Sequence, residues 1–281
     1  MPHTFTNGIV TFYEDAGEGP VVVLIHGHSL DSRMWRHPVP ALVQAGFRVV
    51  RHDVRGHGRT MIPPSGYTRE EYAADLRDLL DRLNVDRAAS DPLAVSQAHI
   101  VGLSMGGGIA LQFALDYPER VLSLTLVDSV LAGFSYSEIP RAIGELRQAV
   151  RTEGVRAAFE RVWLAHPMFD GVRRQPAEWE LVHQMVSEFQ APEYVSDVST
   201  PGYVQTSLAD RLGEITAPTL VVVGENDIAD FQLIAELLAA NLRNARLEVM
   251  AGCHHLPPME APEEFNRLLV EFLIASTGRG H

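Results

Sequence analysis

Six short apolar runs, each stopping at a small or polar residue, limit what this chain can fold into. They cover residues 21–25, 47–50, 99–103, 121–127, 219–223 and 245–250. The first stops at His26-Gly27, the third at Ser104, the fourth at Asp128 and the fifth at Gly224. Runs of this length, bounded by turn residues, suit strands buried on both faces. Helical patterns lie between them. Thr68-Arg69-Glu70-Glu71 has the form of a capping box, in which the threonine and a glutamate satisfy orphan N–H groups. It opens a helix to about residue 83, with Tyr72, Leu76, Leu79, Leu80 and Leu83 at helical spacing. Residues 106–117, 231–242 and 262–274 read as three more helices. Strand and helix alternating in this way predict an α/β fold, a mostly parallel sheet with helices on both faces. Residues 9–13 predict an additional antiparallel strand.

The alternation breaks between about residues 131 and 212. No clear strand occurs there. Helical patterns occupy 140–151 and 155–165, and the stretch carries Trp163, Phe169, Trp179, Phe189 and Tyr203. The expected organisation is a core built from residues 1–131 and 213–281, with residues 132–212 as a helical cap insert. There is no Gly/Ser linker, internal repeat or low-complexity tract. Residues 86–97 form a polar loop with no evident purpose.

Gly102-Leu103-Ser104-Met105-Gly106 has the pattern G-x-S-x-G. The bare pattern turns up by chance in roughly one chain in ten of this length. Its setting makes it specific: it follows an apolar strand and precedes a helix. A serine on so sharp a strand-to-helix turn takes strained backbone angles, and side chains two residues before and after would collide. The hydroxyl then stands clear of the sheet, above a helix N-terminus with free N–H groups and positive partial charge. Gly107 and Gly108 further clear the first turn. A serine nucleophile needs a base, oriented by an acid. Asp227, in Gly224-Glu225-Asn226-Asp227, and His255, in Gly252-Cys253-His254-His255-Leu256-Pro257, each follow the end of a strand, where active-site loops gather on an open α/β sheet. Asp128 also closes a strand, Asp230 lies three residues beyond Asp227, and His254 adjoins His255. The residues alone leave these alternatives open.

Over essentially its whole length the chain resembles the α/β-hydrolase superfamily. Within it, the resemblance is to 3-oxoadipate enol-lactonases, small-molecule carboxylesterases and cofactor-free, haloperoxidase-like perhydrolases. It rests on His26-Gly27-His28, Asp53-Val54-Arg55-Gly56-His57-Gly58, Gly102 to Gly108, Gly224 to Asp227, and His255 through Glu260-Ala261-Pro262. The resemblance implies the α/β-hydrolase fold and a Ser104, Asp227, His255 triad in that chain order. His255 is implied by its place before Leu256-Pro257 and the later Glu-x-Pro; where His254 stands, the family usually has glycine. The implied oxyanion donors are the backbone N–H groups of Met105 and His28. His26 and His57 match positions that brace loops. His26, His28, His52, Asp53 and His57 show none of the tight ligand spacing of a metal site, so no metal and no cofactor are expected. His3, His37, His99, His183 and His281 read as bystanders, and His166 as a residue that can reach substrate. The cap aromatics predict a largely apolar pocket, with Trp163 and Leu256 as the expected substrate contacts.

Charge narrows the partners. The formal net charge is −13, which argues against nucleic acid and anionic membranes. Residues are 46% hydrophobic and 21% charged, too apolar for disorder. One cysteine, Cys253, excludes an internal disulfide; with no signal-peptide pattern and no long apolar run, a cytoplasmic location is expected. The expected function is hydrolysis of carboxylic ester or lactone bonds of small molecules through an acyl-enzyme. Serine at position 104 separates the chain from haloalkane dehalogenases and epoxide hydrolases, which use aspartate there. Carbon–carbon bond hydrolysis, perhydrolysis and a triad-retaining small-molecule receptor remain as alternatives. Nothing in the residues indicates the oligomeric state.

Overall fold

The computed structural model describes residues 3–83, 96–195 and 207–278. Most of loop 86–97, together with Tyr203 and His281, lies outside them. Eight strands form one sheet: β1 (His3–Thr6), β2 (Ile9–Ala16), β3 (Val21–Ile25), β4 (Arg48–His52), β5 (Ala98–Leu103), β6 (Val121–Val127), β7 (Thr219–Gly224) and β8 (Ala245–Met250). Their order is β1-β2-β4-β3-β5-β6-β7-β8. β1 pairs antiparallel with β2 and β2 antiparallel with β4; the other pairings are parallel.

All six apolar runs are strands, and β3, β5 and β7 are buried throughout. β8 departs from the expectation of burial on both faces. It is the last strand of the sheet, bonded only to β7, and Val249 is 57% exposed. β1 was not foreseen. It is short, and its pairing with β2 includes a buried hydroxyl pair, Thr6 to Thr11 at 2.6 Å.

Helices α1 (Pro38–Gln44), α2 (Arg69–Arg82), α3 (Met105–Asp116), α9 (Ala229–Asn241) and α11 (Pro262–Ser276) accompany the sheet, and the short α10 (Pro257–Glu260) leads into α11. α1 packs against α11 and α2 against α3. Thr68 caps α2 as expected, its hydroxyl accepting from Glu71 N–H. α1 was not anticipated. Its first proline stands at the helix start, where the missing N–H costs nothing.

Between β6 and β7 the described residues contain helices and no strand: α4 (Ile139–Glu153), α5 (Val155–Ala158), α6 (Asp170–Arg173), α7 (Pro176–Glu188) and α8 (Pro192–Val195). The pattern over 155–165 breaks after α5 into a single π-helical turn, Phe159–Trp163. One buried carboxylate ties this region to the core. Asp230, in the first turn of α9, accepts from the Ser137 N–H and hydroxyl and from the N–H groups of Glu138 and Ile139. It therefore satisfies orphan donors at the start of α4. Burial alone would raise its pKa; these donors, led by the Ser137 hydroxyl, outweigh that and hold the carboxyl below its ordinary value. Among the described residues no helix is long and apolar enough to cross a membrane.

Candidate active site

Ser104 sits between β5 and α3 with φ 54° and ψ −113°, a positive φ that non-glycine residues adopt only under constraint. The constraint is visible. Ser104 N–H donates to Val127 O at 2.9 Å, and its carbonyl accepts from Gly107, Gly108 and Val130. A Cβ on Gly102 would lie 2.2 Å from Gly106 O, and one on Gly106 would lie 2.2 Å from Ile25 O. These are backbone atoms of packed elements, so both glycines are required by close approach. Gly107 and Gly108 likewise make room for Ser129 and Val130.

His255 follows β8. Its Nδ1 donates to Asp227 Oδ2 at 2.7 Å, and Asp227 Oδ1 accepts from Ile228 N–H at 2.8 Å. Phe231 packs on the imidazole with ring centres 4.4 Å apart. The flanking backbone is pinned by Glu260, whose carboxylate accepts from the N–H groups of His254 at 2.7 Å and Leu256 at 2.9 Å. His255 N–H also donates to Met168 O, across to the helical region. Neither the bonds from His254 and Leu256 to Glu260 nor the one from His255 to Met168 follows from the sequence, where Glu260 is visible only as part of the Glu-x-Pro match.

The rivals fall elsewhere. Asp230 caps α4, as described. His254 Nδ1 lies 3.7 Å from Glu260 Oε2, too far for a hydrogen bond, and has no partner among the described residues. Asp128, at φ 42°, is buried beside Asp227 and accepts from Gly224 N–H at 3.0 Å through Oδ1. β6, which it ends, is an interior strand of the sheet. Burial first, and the Asp227 charge second, push the Asp128 carboxyl well above the usual carboxylate range.

Ser104 and His255 face one cavity of about 630 Å³, whose wall also includes His28, Met105, Trp163 and Leu256. All the residues anticipated at the site therefore meet there except Asp227, which lies behind His255. Neither His28 N–H nor Met105 N–H donates to an acceptor among the described residues. Trp163 donates through its indole N–H to Ser29 Oγ at 2.8 Å and packs edge-on against the His28 ring. His166 does not line the cavity; its ring accepts from Met168 N–H.

The cavity is largely apolar, as expected, but one region of its wall is polar. Arg69 on α2, Arg147 on α4, and Glu193 and Tyr194 on α8 all line the cavity. Tyr194 OH lies 3.1 Å from His28 Nε2, and Glu193 Oε1 lies 3.4 Å from His28 Nδ1. Burial, then His26 and Arg147, hold the His28 imidazole down to about 3, so it is neutral. Burial pushes the Glu193 carboxyl up to about 7. No motif marks these residues: on helices, such side chains look like ordinary solvated positions.

His26 and His57 have protein partners. His26 donates from Nδ1 to Gly27 O and accepts Val54 N–H on Nε2, both at 2.8 Å, joining two loops as the resemblance implies. His57 donates to Arg55 O and stacks on Phe189. Among the described residues, the group with ligand-type atoms close enough for an ion is Asp128, Asp227 and His255, all within 4.8 Å. The His255–Asp227 hydrogen bond accounts for that proximity.

A family model described as alpha/beta hydrolase fold matches residues 20–262. A 2-hydroxy-6-oxononadienedioate/2-hydroxy-6-oxononatrienedioate hydrolase of Paraburkholderia xenovorans is 30% identical, covering 93% of this chain and 89% of the relative. The solved structure of the enol-lactonase from Burkholderia xenovorans LB400 superposes with a TM-score of 0.81 at 27% identity, covering 97% of this chain and 99% of that one. A thermophilic esterase from Thermogutta terrifontis gives 0.80 at 30% identity, with 98% and 97% coverage.

Proposed function

The chain belongs to the alpha/beta hydrolase fold family and is a hydrolase, and on that premise we propose that it cleaves carboxylic ester or lactone bonds of small molecules through an acyl-enzyme on Ser104. One observation carries this reading: Ser104, held at positive φ on a strand-to-helix turn, and His255, oriented by Asp227, face the same cavity.

Ser104 Oγ attacks the carbonyl carbon and its proton passes to His255 Nε2. Asp227 keeps the imidazole proton on Nδ1, which leaves Nε2 free to accept. The carbonyl oxygen becomes an oxyanion, held by the backbone N–H groups of Met105 and His28, each such donor worth roughly 3–4 kcal/mol. The tetrahedral centre collapses, the C–O bond breaks, and His255 returns the proton to the leaving alcohol. In a lactone that alcohol stays tethered to the acyl group. Water then attacks the acyl-enzyme, His255 takes its proton, and Ser104 is released with the acid. Residues 132–212 serve as the cap that encloses this site, with Trp163 and Leu256 against the substrate. The enol-lactonase and esterase relatives support the bond type. The dienedioate hydrolase relative favours a second reading, hydrolysis of a carbon–carbon bond in a vinylogous diketone by the same residues.

The test is a panel of short-chain esters, lactones and vinylogous diketones. Ser104→Ala is expected to lower kcat on the best substrate by about 10⁶, as for residues acting as a unit. An unchanged rate on p-nitrophenyl acetate would end the serine reading. His255→Ala should abolish labelling by a fluorophosphonate while His254→Ala keeps it; the opposite result moves the base to His254.

A further inference from the structure

Glu193 has an unusual place for a carboxyl. It is on α8, in the cavity wall shared with Ser104, and its side chain is only 14% exposed. Among the described residues, Oε2 is buried without a hydrogen-bond partner. Oε1 faces His28 Nδ1 at 3.4 Å, which is longer than a good hydrogen bond. A buried polar group left in this condition is costly, and such groups normally find a partner in protein, water or ligand.

We propose that Glu193 is a specificity residue that receives a neutral hydrogen-bonding group, an amide or a hydroxyl, carried on the acyl part of the substrate. The inference rests on the ester-hydrolase reading and names its substrate class. A carboxyl at this site offers an O–H donor beside a carbonyl acceptor, the edge an amide or hydroxyl complements. Its raised pKa, about 7, keeps that donor present through mildly acidic to neutral solution. Arg69 and Arg147 in the same wall disfavour an ammonium. A carboxylate on the substrate would meet Glu193 as a like charge once Glu193 ionises. Arg147 is engaged at its own helix junction, donating toward Glu193 O and lying over the Tyr194 ring. His28 ties the subsite to the chemistry: its backbone N–H is the proposed oxyanion donor, and its ring abuts both Glu193 and Tyr194.

The experiment compares p-nitrophenyl 6-acetamidohexanoate with p-nitrophenyl nonanoate, an alkyl ester of matched length. Carboxylate-ended and ammonium-ended esters of that length complete the set. Wild-type protein should show a kcat/KM ratio of about tenfold in favour of the amide, the worth of one net hydrogen bond. Glu193→Leu should bring the ratio to near one, and Glu193→Gln, which keeps a donor and an acceptor, should retain most of it. Because each ratio is internal to one variant, a general loss of activity cancels. Calorimetry on Ser104→Ala with methyl 6-acetamidohexanoate and methyl nonanoate should show the same Kd ratio, lost in Ser104→Ala/Glu193→Leu. A ratio unchanged by Glu193→Leu, equal Kd values, or a wild-type preference for the carboxylate or ammonium ester overturns the proposal. Failure to turn over any ester, with the Kd ratio intact, overturns the ester reading and leaves Glu193 in place.

Discussion

Replacing Asp227 by asparagine exchanges one oxygen for NH2 at constant shape. Both carboxylate oxygens are in use: Oδ2 accepts from His255 Nδ1 at 2.7 Å and Oδ1 from Ile228 N–H at 2.8 Å. The amide must keep its oxygen toward Ile228, because its NH2 there would oppose another donor. The NH2 then meets Nδ1, which must present a lone pair, and the imidazole proton moves to Nε2. Nε2 can no longer accept the Ser104 proton. A wrong tautomer of this kind lowers kcat by about 10⁴ in a serine hydrolase, about 5.5 kcal/mol of transition-state stabilisation. Stability should change by no more than about 1–2 kcal/mol, since Ile228 N–H keeps its acceptor and the amide NH2 finds one in Nδ1. Asp128 adds a second step. The Asp227 charge is one cause of its raised pKa, so in Asp227→Asn the Asp128 carboxyl ionises more readily and supplies a charge near the imidazole. Asp227→Asn/Asp128→Asn should therefore be slower than Asp227→Asn by roughly a further tenfold. The assay is kcat/KM on p-nitrophenyl acetate across neutral to alkaline pH, with thermal melting as the folding control. Asp227→Asn within tenfold of wild type, with melting unchanged, would refute the argument and mean that another group orients His255.

Three further outcomes are expected. Asp230→Ala strips the acceptor from three N–H groups at the start of α4 and should cost about 1–3 kcal/mol in urea unfolding; because Ile139 and Ile143 of α4 line the cavity, KM for a bulky ester should rise more than for an acetate. Gly106→Ala would set a Cβ 2.2 Å from Ile25 O and 2.8 Å from His26 O, so it should lose more than about 3 kcal/mol of stability or yield no folded protein, as urea titration and circular dichroism would show. Glu193 should impose a pH slope on stability. Its carboxyl is raised from 4.5 to about 7 in the folded protein, where it faces His28, Arg147, Tyr67 and Tyr72. Its contribution is thus fully present below about pH 4.5 and lost as pH rises through about 7, a swing of roughly 3.5 kcal/mol at 1.4 kcal/mol per unit. Glu193→Gln should flatten that part of the urea-stability profile, and an unchanged slope would place the carboxyl in a wetter site than this.

The strands were legible because their signal is local. A run such as Val21–Ile25, apolar at every position and stopped by a turn, can be little else than a strand covered on both faces. β8 misled for the same reason: composition marks a strand but does not say whether it has a neighbour on each side. The break in helical pattern after α5 was unreadable because the π turn at Phe159–Trp163 comes from packing, with residues that also suit an α-helix. His254 and His255 were separable only by resemblance, since adjacent positions differ by the direction the loop gives each ring. Tertiary contacts separate them: one ring bonds Asp227 and faces the cavity, while the other stays 3.7 Å from Glu260 Oε2, beyond hydrogen-bond reach.

What the sequence by itself determined is the α/β core and the strained turn at Ser104. Both follow from interactions within a few residues, namely run length, caps, and glycines where a Cβ has no room. What only the tertiary structure decided is the company those residues keep. Asp227 reaches His255 across 28 positions and Tyr194 reaches His28 across 166. A charged side chain on a helix has the same local pattern whether it faces water or a cavity. The packing of α8 against the His26-Gly27-His28 loop made Glu193 part of the pocket wall, and no periodicity along the chain encodes that packing.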